Sequence, residues 1–225
     1  MRQRLSNSIL YIAIIVGLCG SAQAQADYAF EIARVKYAGG GDWYSDPGSL
    51  TELLEFVRAE THLDVAPREA VVELSGDKLH AYPYLYLTGH GNVRFSDEEA
   101  LRLRHYLLGG GFLHIDDNYG LDAHIRRELK KVFPDRDLRE LPFSHPIFSI
   151  HFSFPAGLPK IHEHDGKPPQ GFGLFDDSGR LCVFYSYESD LGDGWEPADV
   201  HSDPPEKRTA ALQMGSNILT YAMMH

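Results

Sequence analysis

The stretch Gly109–Asp117, GGGFLHIDD, predicts the fold of this chain. Its three glycines can end a helix, because glycine takes the left-handed conformation of a helix C-terminus at no steric cost. The apolar run that follows predicts a short buried strand, and two aspartates mark the end of that strand. A helix precedes the stretch, with Ala100, Leu103 and Leu107 on one face. Another amphipathic helix follows it, so the stretch is the centre of a helix–strand–helix unit.

The same alternation of strands and helices extends over the first two thirds of the chain. Strands are predicted at Phe30–Tyr37, Ala70–Leu74, Tyr82–Thr88 and Phe112–Ile115. Residues 138–180 show little periodicity, and a strand at Leu181–Tyr187 and a final helix from Pro205 to about Met223 follow. Alternating strands and helices with short connections predict a mostly parallel sheet with helices on both faces. We expect a single α/β domain over residues 27–225.

Residues 1–24 differ in composition from the rest of the chain. Arg2 and Arg4 precede the apolar residues 9–18, and small residues end in Ala22-Gln23-Ala24. A basic start, a short apolar centre and an A-x-A ending are typical of a secretory signal peptide. The apolar run is shorter than the about 20 residues that a membrane span needs. The pattern predicts cleavage after Ala24 and a periplasmic or secreted protein; an uncleaved N-terminal anchor is the alternative.

The charge of the chain argues against nucleic acid as a partner. The net charge of −11 becomes −13 without residues 1–24, which carry two arginines and no acidic residue. Nucleic-acid binding needs clustered positive charge instead. Cys182 is the one cysteine after residue 24, so no internal disulfide is expected, and its apolar neighbours indicate a buried structural thiol. No nucleotide-binding fingerprint follows a strand, so no cofactor is evident.

Polar side chains follow four of the predicted strands. In an open parallel sheet, ligands bind beyond the carboxyl ends of the strands, where the winding direction of the chain reverses. We therefore expect the polar side chains at these strand ends to converge on one ligand-binding rim. These residues are Asp42, Trp43, His90, Asp116, Asp117, Glu188 and Asp190.

His90, Asp116 and Asp117 are the candidate catalytic residues. His90 stands between two glycines, which allow a tight bend and the close approach of a ligand; alternatively, the histidine only hydrogen-bonds a neighbouring loop. Adjacent carboxylates after a buried strand are unusual, because aspartate disfavours strands and like charges repel. One of them can bind a cation or act as a base while the other caps the next helix. Alternatively, both only stabilise the turn.

A metal site is the next possibility, at His162-Glu163-His164-Asp165. In an extended segment residues i and i+2 share a face, so His162 and His164 form a feasible half-site for a divalent metal, with Asp165 beside them. A further ligand would come from elsewhere, such as Asp116 or Glu188. The polar segment 188–203 is expected to be a loop. Its Trp195, if exposed, suits stacking against a sugar, and structural packing of the loop is the alternative.

Several longer motifs together resemble one bacterial family. They are Gly39–Pro47, Tyr86–Gly91, Gly110–Asp117, His145–Phe148, Ile161–Gly166 and Ser189–Trp195. On these motifs the chain is identified as a member of the family called domain of unknown function 4159, over nearly all of residues 28–223. Some relatives look like larger membrane-anchored envelope proteins with this domain at the C-terminus. The resemblance therefore implies a place in the cell envelope and no established activity.

More remotely, Gly109–Asp117 is similar to the strand and elbow of the class I glutamine amidotransferase-like superfamily. That similarity implies a three-layer flavodoxin-like fold. In those amidotransferases the elbow carries a nucleophilic cysteine, and here Asp116 occupies the nearest equivalent place. The partner His-x-Glu is not evident near Glu188. Because aspartate cannot replace a thiolate in this acyl transfer, the resemblance does not imply glutamine hydrolysis.

Three hypotheses of function remain. The first is an exported envelope domain that binds a small polar ligand, a glycan or another envelope protein. The second is a metal-assisted hydrolase with a His/Asp site built from His90, Asp116, Asp117 and the segment His162–Asp165. The third is a purely structural module, whose strand-end rim is filled by its own side chains.

Overall fold

A computed structural model describes residues 30–225 of the chain. The predicted signal peptide, residues 1–24, lies outside the described residues. Seven strands form one sheet: β1 (Ile32–Lys36), β2 (Ala70–Glu73), β3 (Tyr84–Leu87), β4 (Phe112–Asp116), β5 (Arg139–Glu140), β6 (Gln170–Phe175) and β7 (Leu181–Tyr187). The α-helices are α1 (Ser49–Glu60), α2 (Asp97–Leu108), α3 (Asp122–Val132), α4 (Leu191–Trp195), α5 (Ala198–His201) and α6 (Pro205–Met224).

The sheet is mixed, with a parallel part and an antiparallel edge. Its strand order is β2-β1-β3-β4-β7-β6-β5. The first five strands in that order are parallel, whereas β6 runs antiparallel to β7 and β5 runs antiparallel to β6. The prediction of an α/β fold with a mostly parallel sheet is confirmed. The sequence analysis missed β5 and β6, because β5 has only two residues and two glycines interrupt the apolar pattern of β6.

Two apolar cores lie on opposite faces of the sheet. In β3, Tyr84 and Tyr86 pack into one core and Leu85 and Leu87 into the other, because successive side chains of a strand point to opposite faces. Helices α1, α4 and α6 cover the first face, and α2 and α3 cover the second. All four residues of β3 are buried, as the continuous apolar run predicts. Each face of the sheet is therefore covered by its own set of helices.

Helix α2 begins with the capping box that the sequence predicts. The Ser96 side chain accepts a hydrogen bond from the Glu99 amide, and the Glu99 carboxylate accepts one from the Ser96 amide. Both bonds satisfy amide groups that the first helical turn leaves without partners. Cys182 is buried in β7, and burial raises the pKa of its thiol to about 11, which confirms a structural thiol. Within residues 30–225, no helix has both the length and the hydropathy of a membrane span.

The segment 188–203 differs from its prediction as a loop. It contains the short helices α4 and α5, and Trp195 at the end of α4 is fully buried rather than exposed. The indole Nε1 donates to the Ala211 carbonyl at 2.8 Å, and the ring lies 5.5 Å from that of Tyr86. The glycines of this segment weaken its helical pattern, but the burial of Leu191 and Trp195, one turn apart, stabilises α4. Trp195 is therefore a core residue and does not stack against a sugar.

Candidate functional site

The loops after β1, β3, β4 and β7 meet at the carboxyl edge of the parallel strands. Thr88, after β3, donates to the Asn118 side chain at 3.1 Å, and Asn118, after β4, donates to Asp46 of the loop after β1. The Gly192 amide, after β7, donates to Asp116 Oδ2 at 2.6 Å. Hydrogen bonds between side chains of different loops thus join the four strand ends. This edge holds the polar residues that the sequence analysis singled out.

Asp42 and His90 form a pair between the loops after β1 and β3. The His90 Nδ1 lies 3.1 Å from Asp42 Oδ2, and the His90 amide also donates to the Asp42 carboxylate. These bonds lower the pKa of Asp42 against the effect of its partial burial. The imidazole is about half exposed, at 53 % of its side chain. Gly89 has a φ of +129°, and a Cβ there would collide with the Tyr37 hydroxyl, so the turn itself requires this glycine.

Trp43, which is expected at the rim, is only partly exposed. Its ring is partly buried against the core under α2 and α3, and it contacts the ring of Tyr44 edge-on at 5.6 Å. Among the two aromatic residues of this loop, Tyr44 is the exposed one. The physical reason is that an indole beside an apolar core gains more by burial than a phenol that keeps its hydroxyl in water.

Asp116 is fully buried and makes hydrogen bonds within the fold. Its Oδ1 accepts from the Ser186 hydroxyl, and its Oδ2 accepts from the Gly192 amide at the start of α4. Burial raises the pKa of Asp116 to about 8, although the bonds from Ser186 and Gly192 act in the opposite direction. This side chain connects β4, β7 and α4 below the rim.

Asp117 is the next residue and lies on the other side of β4. Its Oδ1 accepts from the Leu121 amide at 3.1 Å, just before α3, and its Oδ2 accepts from the Tyr185 hydroxyl at 3.1 Å. Burial raises the pKa of Asp117 to about 6, and the charges of Asp122 and Glu188 act in the same direction. Asp117 thus stabilises the turn before α3 through the amide of Leu121, the N-cap residue, whereas no side chain caps the first-turn amides of this helix.

Asp117 lines a cleft at the strand ends, which we call the edge cleft. Its volume is about 340 Å³. It is lined by Asp117, Tyr119, Gly120, Asp122, Ala123, Asp165, Lys167, Tyr187 and Glu188. Tyr119 is half exposed, and its ring stacks on that of His164 at 5.0 Å. Lys167 Nζ lies 3.0 Å from the Tyr187 hydroxyl and 3.2 Å from Asp165, so its ammonium is positioned within the cleft wall.

A group of buried and partly buried carboxylates lies beside the edge cleft, and we call it the acidic cluster. It consists of Asp46, Asp116, Asp190 and Asp193. Burial, followed by the charge of Asp193, raises the pKa of Asp46 to about 7, and burial with the charge of Asp190 raises that of Asp193 to about 6. A Cβ on Gly192 would lie 2.9 Å from Asp46 Oδ2 and 3.1 Å from Asp116 Oδ2. The convergence of these carboxylates therefore requires a glycine at position 192.

Three histidines border the acidic cluster. His162 Nδ1 lies 2.8 Å from Asp190 Oδ2 and 3.0 Å from Asp193 Oδ2, and His164 Nε2 lies 3.0 Å from the same Asp190 oxygen. The hydrogen bond that His162 makes to the Asp190 carboxylate raises the pKa of His162 to about 9, against the effect of burial. His201 Nε2 lies 3.7 Å from Asp193 Oδ1. Nitrogen and oxygen atoms that could bind a metal are thus within reach of one another.

The structure arranges the predicted metal residues differently from the sequence analysis. The group whose ligand atoms all lie within 4.8 Å of one another is His162, Asp193 and His201. Asp165 points away from it, because its two oxygens accept from Tyr119 and Lys167 in the edge cleft. Neither His164 nor Asp165 belongs to that group, although His164 contacts Asp190. Two imidazoles and a carboxylate at this place are a donor set that fits a metal ion.

Glu188 and Asp190 follow β7 as predicted, in an unusual backbone conformation. Glu188 is buried and paired with Lys160 at 2.8 Å. The two residues have φ values of 57° and 64°, which non-glycine residues rarely adopt. All five non-glycine residues with positive φ in residues 30–225 lie at the site or next to it: Asp46, Tyr119, Glu188, Asp190 and Ser202. Strained backbone of this kind concentrates at functional sites.

Sequence reasoning missed Asp46, Asp193, His201 and Asp203. Asp46 lies in the loop after β1, where Arg34 donates to the Ser45 carbonyl at 2.7 Å and to that of Asp46 at 3.1 Å. A buried arginine in a strand is the signal that could have indicated this loop. Asp193 follows Asp190 by one helical turn, but the prediction of a loop at 188–203 hid that spacing.

The motifs of the chain correspond to parts of this edge. Gly39–Pro47 contains Asp42 and Asp46, and Ser189–Trp195 contains Asp190 and Asp193. A search of the curated proteins finds no match. The family described as domain of unknown function (DUF4159) matches residues 31–223, almost the whole described part. The chain therefore belongs to the DUF4159 family.

Proposed function

We propose that this protein is exported to the cell envelope and binds a small polar ligand, of which a sugar is an example, in the edge cleft. The observation that carries the proposal is the composition of the cleft. A half-exposed aromatic ring, Tyr119, stands beside the carboxylates of Asp117 and Glu188. Such a ring can stack on the C–H face of a sugar, and carboxylates can accept hydrogen bonds from its hydroxyl groups.

The position of the edge cleft supports the same proposal. It lies at the carboxyl ends of β4 and β7, which is where open α/β sheets bind ligands. Positive φ values at Tyr119 and Glu188 place strained backbone on its walls. A smaller cavity of about 170 Å³ lies beside the end of α3, lined in part by Arg126 and Arg136. The residues that line this smaller cavity do not come from the loops after β1, β3, β4 and β7, so it lies outside the strand-end edge.

The proposal includes the fold class that the resemblance implies. The parallel strands follow the order β2-β1-β3-β4-β7, which supports a flavodoxin-like sheet of the glutamine amidotransferase-like kind. The proposal does not include amidotransferase activity. The carboxylate of Asp116, at the elbow, is buried and hydrogen-bonded to Ser186 and Gly192. Cys182 is buried near the beginning of β7, away from the carboxyl end of that strand.

Ligand binding is tested by NMR titration of the purified protein with a panel of neutral monosaccharides, N-acetylated amino sugars and free amino acids. We expect at least one of them to shift the signals of residues in the edge cleft. The variants Tyr119→Ala and Asp117→Asn should each weaken that binding at least about tenfold. Tyr44→Ala is the matched control, because Tyr44 is exposed and does not line the cleft. The proposal would be contradicted if titration caused the same chemical-shift changes in Tyr119→Ala as in wild type.

Export is tested separately, by expressing the full chain in a Gram-negative host. We expect the protein in the periplasmic fraction to begin at Gln25, which the intact mass measures directly. A full-length protein that stays with the inner membrane would favour the uncleaved anchor instead. This outcome would leave the ligand-binding proposal standing.

A metal-assisted hydrolase is the second candidate, and the Asp42–His90 pair favours it. A carboxylate on Nδ1 orients an imidazole and leaves Nε2 free to act as a general base. The half-exposed His90 meets that description at the junction of β1 and β3. Release of nitrophenol from acetyl and phosphate esters, measured with and without Zn²⁺, tests this function. The activity should fall at least about 100-fold in His90→Ala, and equal rates in the variant and wild type would contradict it.

A further inference from the structure

We propose that a divalent cation of the zinc type binds between His162, Asp193 and His201, with Asp190 beside it. This inference goes beyond ligand binding in the edge cleft and does not depend on it. It rests on the positions of the donor atoms, on the partner of the second His162 nitrogen and on a buried carboxylate oxygen. Each of these is a separate observation.

The donor atoms have the spacing that one cation requires. His162 Nδ1 lies 3.0 Å from Asp193 Oδ2, and His201 Nε2 lies 3.7 Å from Asp193 Oδ1. Around a tetrahedral zinc ion with bonds of about 2.1 Å, neighbouring donors are about 3.4 Å apart. All three residues offer a donor atom within 4.8 Å of the others, which is close enough for one ion to contact all three.

The second nitrogen of His162 has the partner that a metal-binding histidine usually has. Its Nε2 lies 3.1 Å from Asp203 Oδ1, on the opposite side of the ring from Asp190 and Asp193. A carboxylate at that place selects the tautomer whose other nitrogen faces the ion, and it makes that nitrogen a stronger ligand. Asp203 is therefore a positioning residue, whose effect on a cation passes through His162.

Asp190 supplies a buried oxygen that lacks a partner. Its side chain is 1 % exposed, and within residues 30–225 its Oδ1 accepts no hydrogen bond. Its Oδ2 is shared by His162 and His164. A buried acceptor without a partner is destabilising, and a bound cation is the kind of group that offsets this cost. The surrounding acidic cluster adds negative charge that attracts a cation to the same place.

The chemistry of the donors selects the class of cation. Two imidazoles with carboxylates suit Zn²⁺ and its transition-metal neighbours. Ca²⁺ and Mg²⁺ prefer sites built from oxygen alone. His162 was predicted as a metal ligand from the sequence, whereas Asp193 and His201 enter only through the fold.

The test is isothermal titration calorimetry of the purified, chelator-treated protein with Zn²⁺. We expect one ion per chain with a Kd below about 10 µM. His162→Ala and His201→Ala should each weaken binding at least about tenfold, and Asp203→Asn should weaken it about 10- to 100-fold. Ca²⁺ should bind at least about 100-fold more weakly than Zn²⁺.

The controls separate loss of the site from loss of the fold. His124→Ala is the matched control, because this histidine lies on α3 and its Nδ1 contacts Arg127 rather than the acidic cluster. Circular dichroism in chelator checks that each variant is folded. If His162→Ala unfolds, His201→Ala carries the test, because His201 is exposed at the end of α5. Wild type without Zn²⁺ binding, or a His201→Ala variant that binds as tightly as wild type, would overturn the proposal.

Discussion

Asp116 and Asp117 are neighbours in the chain but have different surroundings. Asp116 is enclosed between β4, β7 and α4, where its carboxylate binds Ser186 and the Gly192 amide. Asp117 accepts from the Leu121 amide in the turn before α3 and lines the edge cleft. Burial raises both pKa values, that of Asp116 to about 8 and that of Asp117 to about 6.

The difference follows from the pleat of a strand. Successive side chains point to opposite faces, so two identical residues at a strand end reach different elements. Asp116 joins the side of α1, α4 and α6, and Asp117 joins the side of α3. Two like residues at a strand end therefore occupy two separate environments, and each residue needs its own test.

The largest expected effect is on the pH dependence of stability. Both carboxyls have folded pKa values above their ordinary value of 3.8, so the stability they contribute is complete below about pH 4 and is lost as the pH rises. For Asp117 the loss ends near pH 6, and for Asp116 near pH 8. In chelator, we expect wild type to lose on the order of several kcal/mol of unfolding free energy from pH 5 to 9. Urea denaturation measures it.

The variants Asp116→Asn and Asp117→Asn sharpen this result. Asp116→Asn should reduce the slope of the profile between about pH 6 and 8, leaving the contributions of Asp46 and His162, whereas Asp117→Asn should leave that range unchanged. An identical slope in wild type and Asp116→Asn over this range would mean that Asp116 stays ionised in the folded protein.

The next largest effect is the loss of each carboxylate. Asp116→Ala removes the acceptor of a buried hydroxyl and a buried amide, so we expect about 2–4 kcal/mol of destabilisation at pH 7. Asp117→Ala removes the acceptor of the Leu121 amide and of the Tyr185 hydroxyl at the rim, and about 1–2 kcal/mol is expected. Chemical denaturation of both variants gives the comparison. Equal losses would contradict the distinction between a dry and a rim environment.

The smallest effect concerns the hydroxyl partner of each carboxylate. Ser186→Ala removes the donor to Asp116 and also the partner of His114 Nε2 at 2.9 Å, so about 1–2 kcal/mol is expected. Tyr185→Phe removes one donor to Asp117 at 3.1 Å, and about 0.5–1.5 kcal/mol is expected. The ratio of the two losses, from thermal unfolding at a single pH, is the measurement. A larger loss of stability in Tyr185→Phe than in Ser186→Ala would contradict the expectation that hydrogen bonds to Asp116 contribute more than those to Asp117.

Most of the parallel part of the sheet could be predicted from the sequence. The strands of this part and helices α1, α2, α3 and α6 lie where the apolar periodicity places them, within a few residues. The antiparallel edge could not be predicted. Strand β6 pairs with β7 through a short turn in which Asp176 accepts from the Ser178 amide at 2.9 Å. Its glycines leave little local preference for a strand, so pairing with β7 determines its conformation.

The candidate site was predicted only in part. Open parallel sheets bind ligands beyond the carboxyl ends of their strands, and this rule led to four residues that all lie at the carboxyl edge of the sheet: Asp42, His90, Asp117 and Asp190. It could not exclude Trp43, because the exposure of an aromatic side chain depends on which helix covers it. It also could not find His201 or Asp203, which come from a segment after the last strand.

The sequence by itself determined the class of fold, the family and the edge at which polar residues gather. Local periodicity, glycine conformation and capping are properties of short segments, and they are visible in the chain order. The tertiary structure decided which of those residues share a space. The contact of His162 with Asp190, Asp193 and Asp203 brings together residues 28 to 41 positions apart. Such proximity arises from the packing of the loops around the sheet, and no local pattern encodes it.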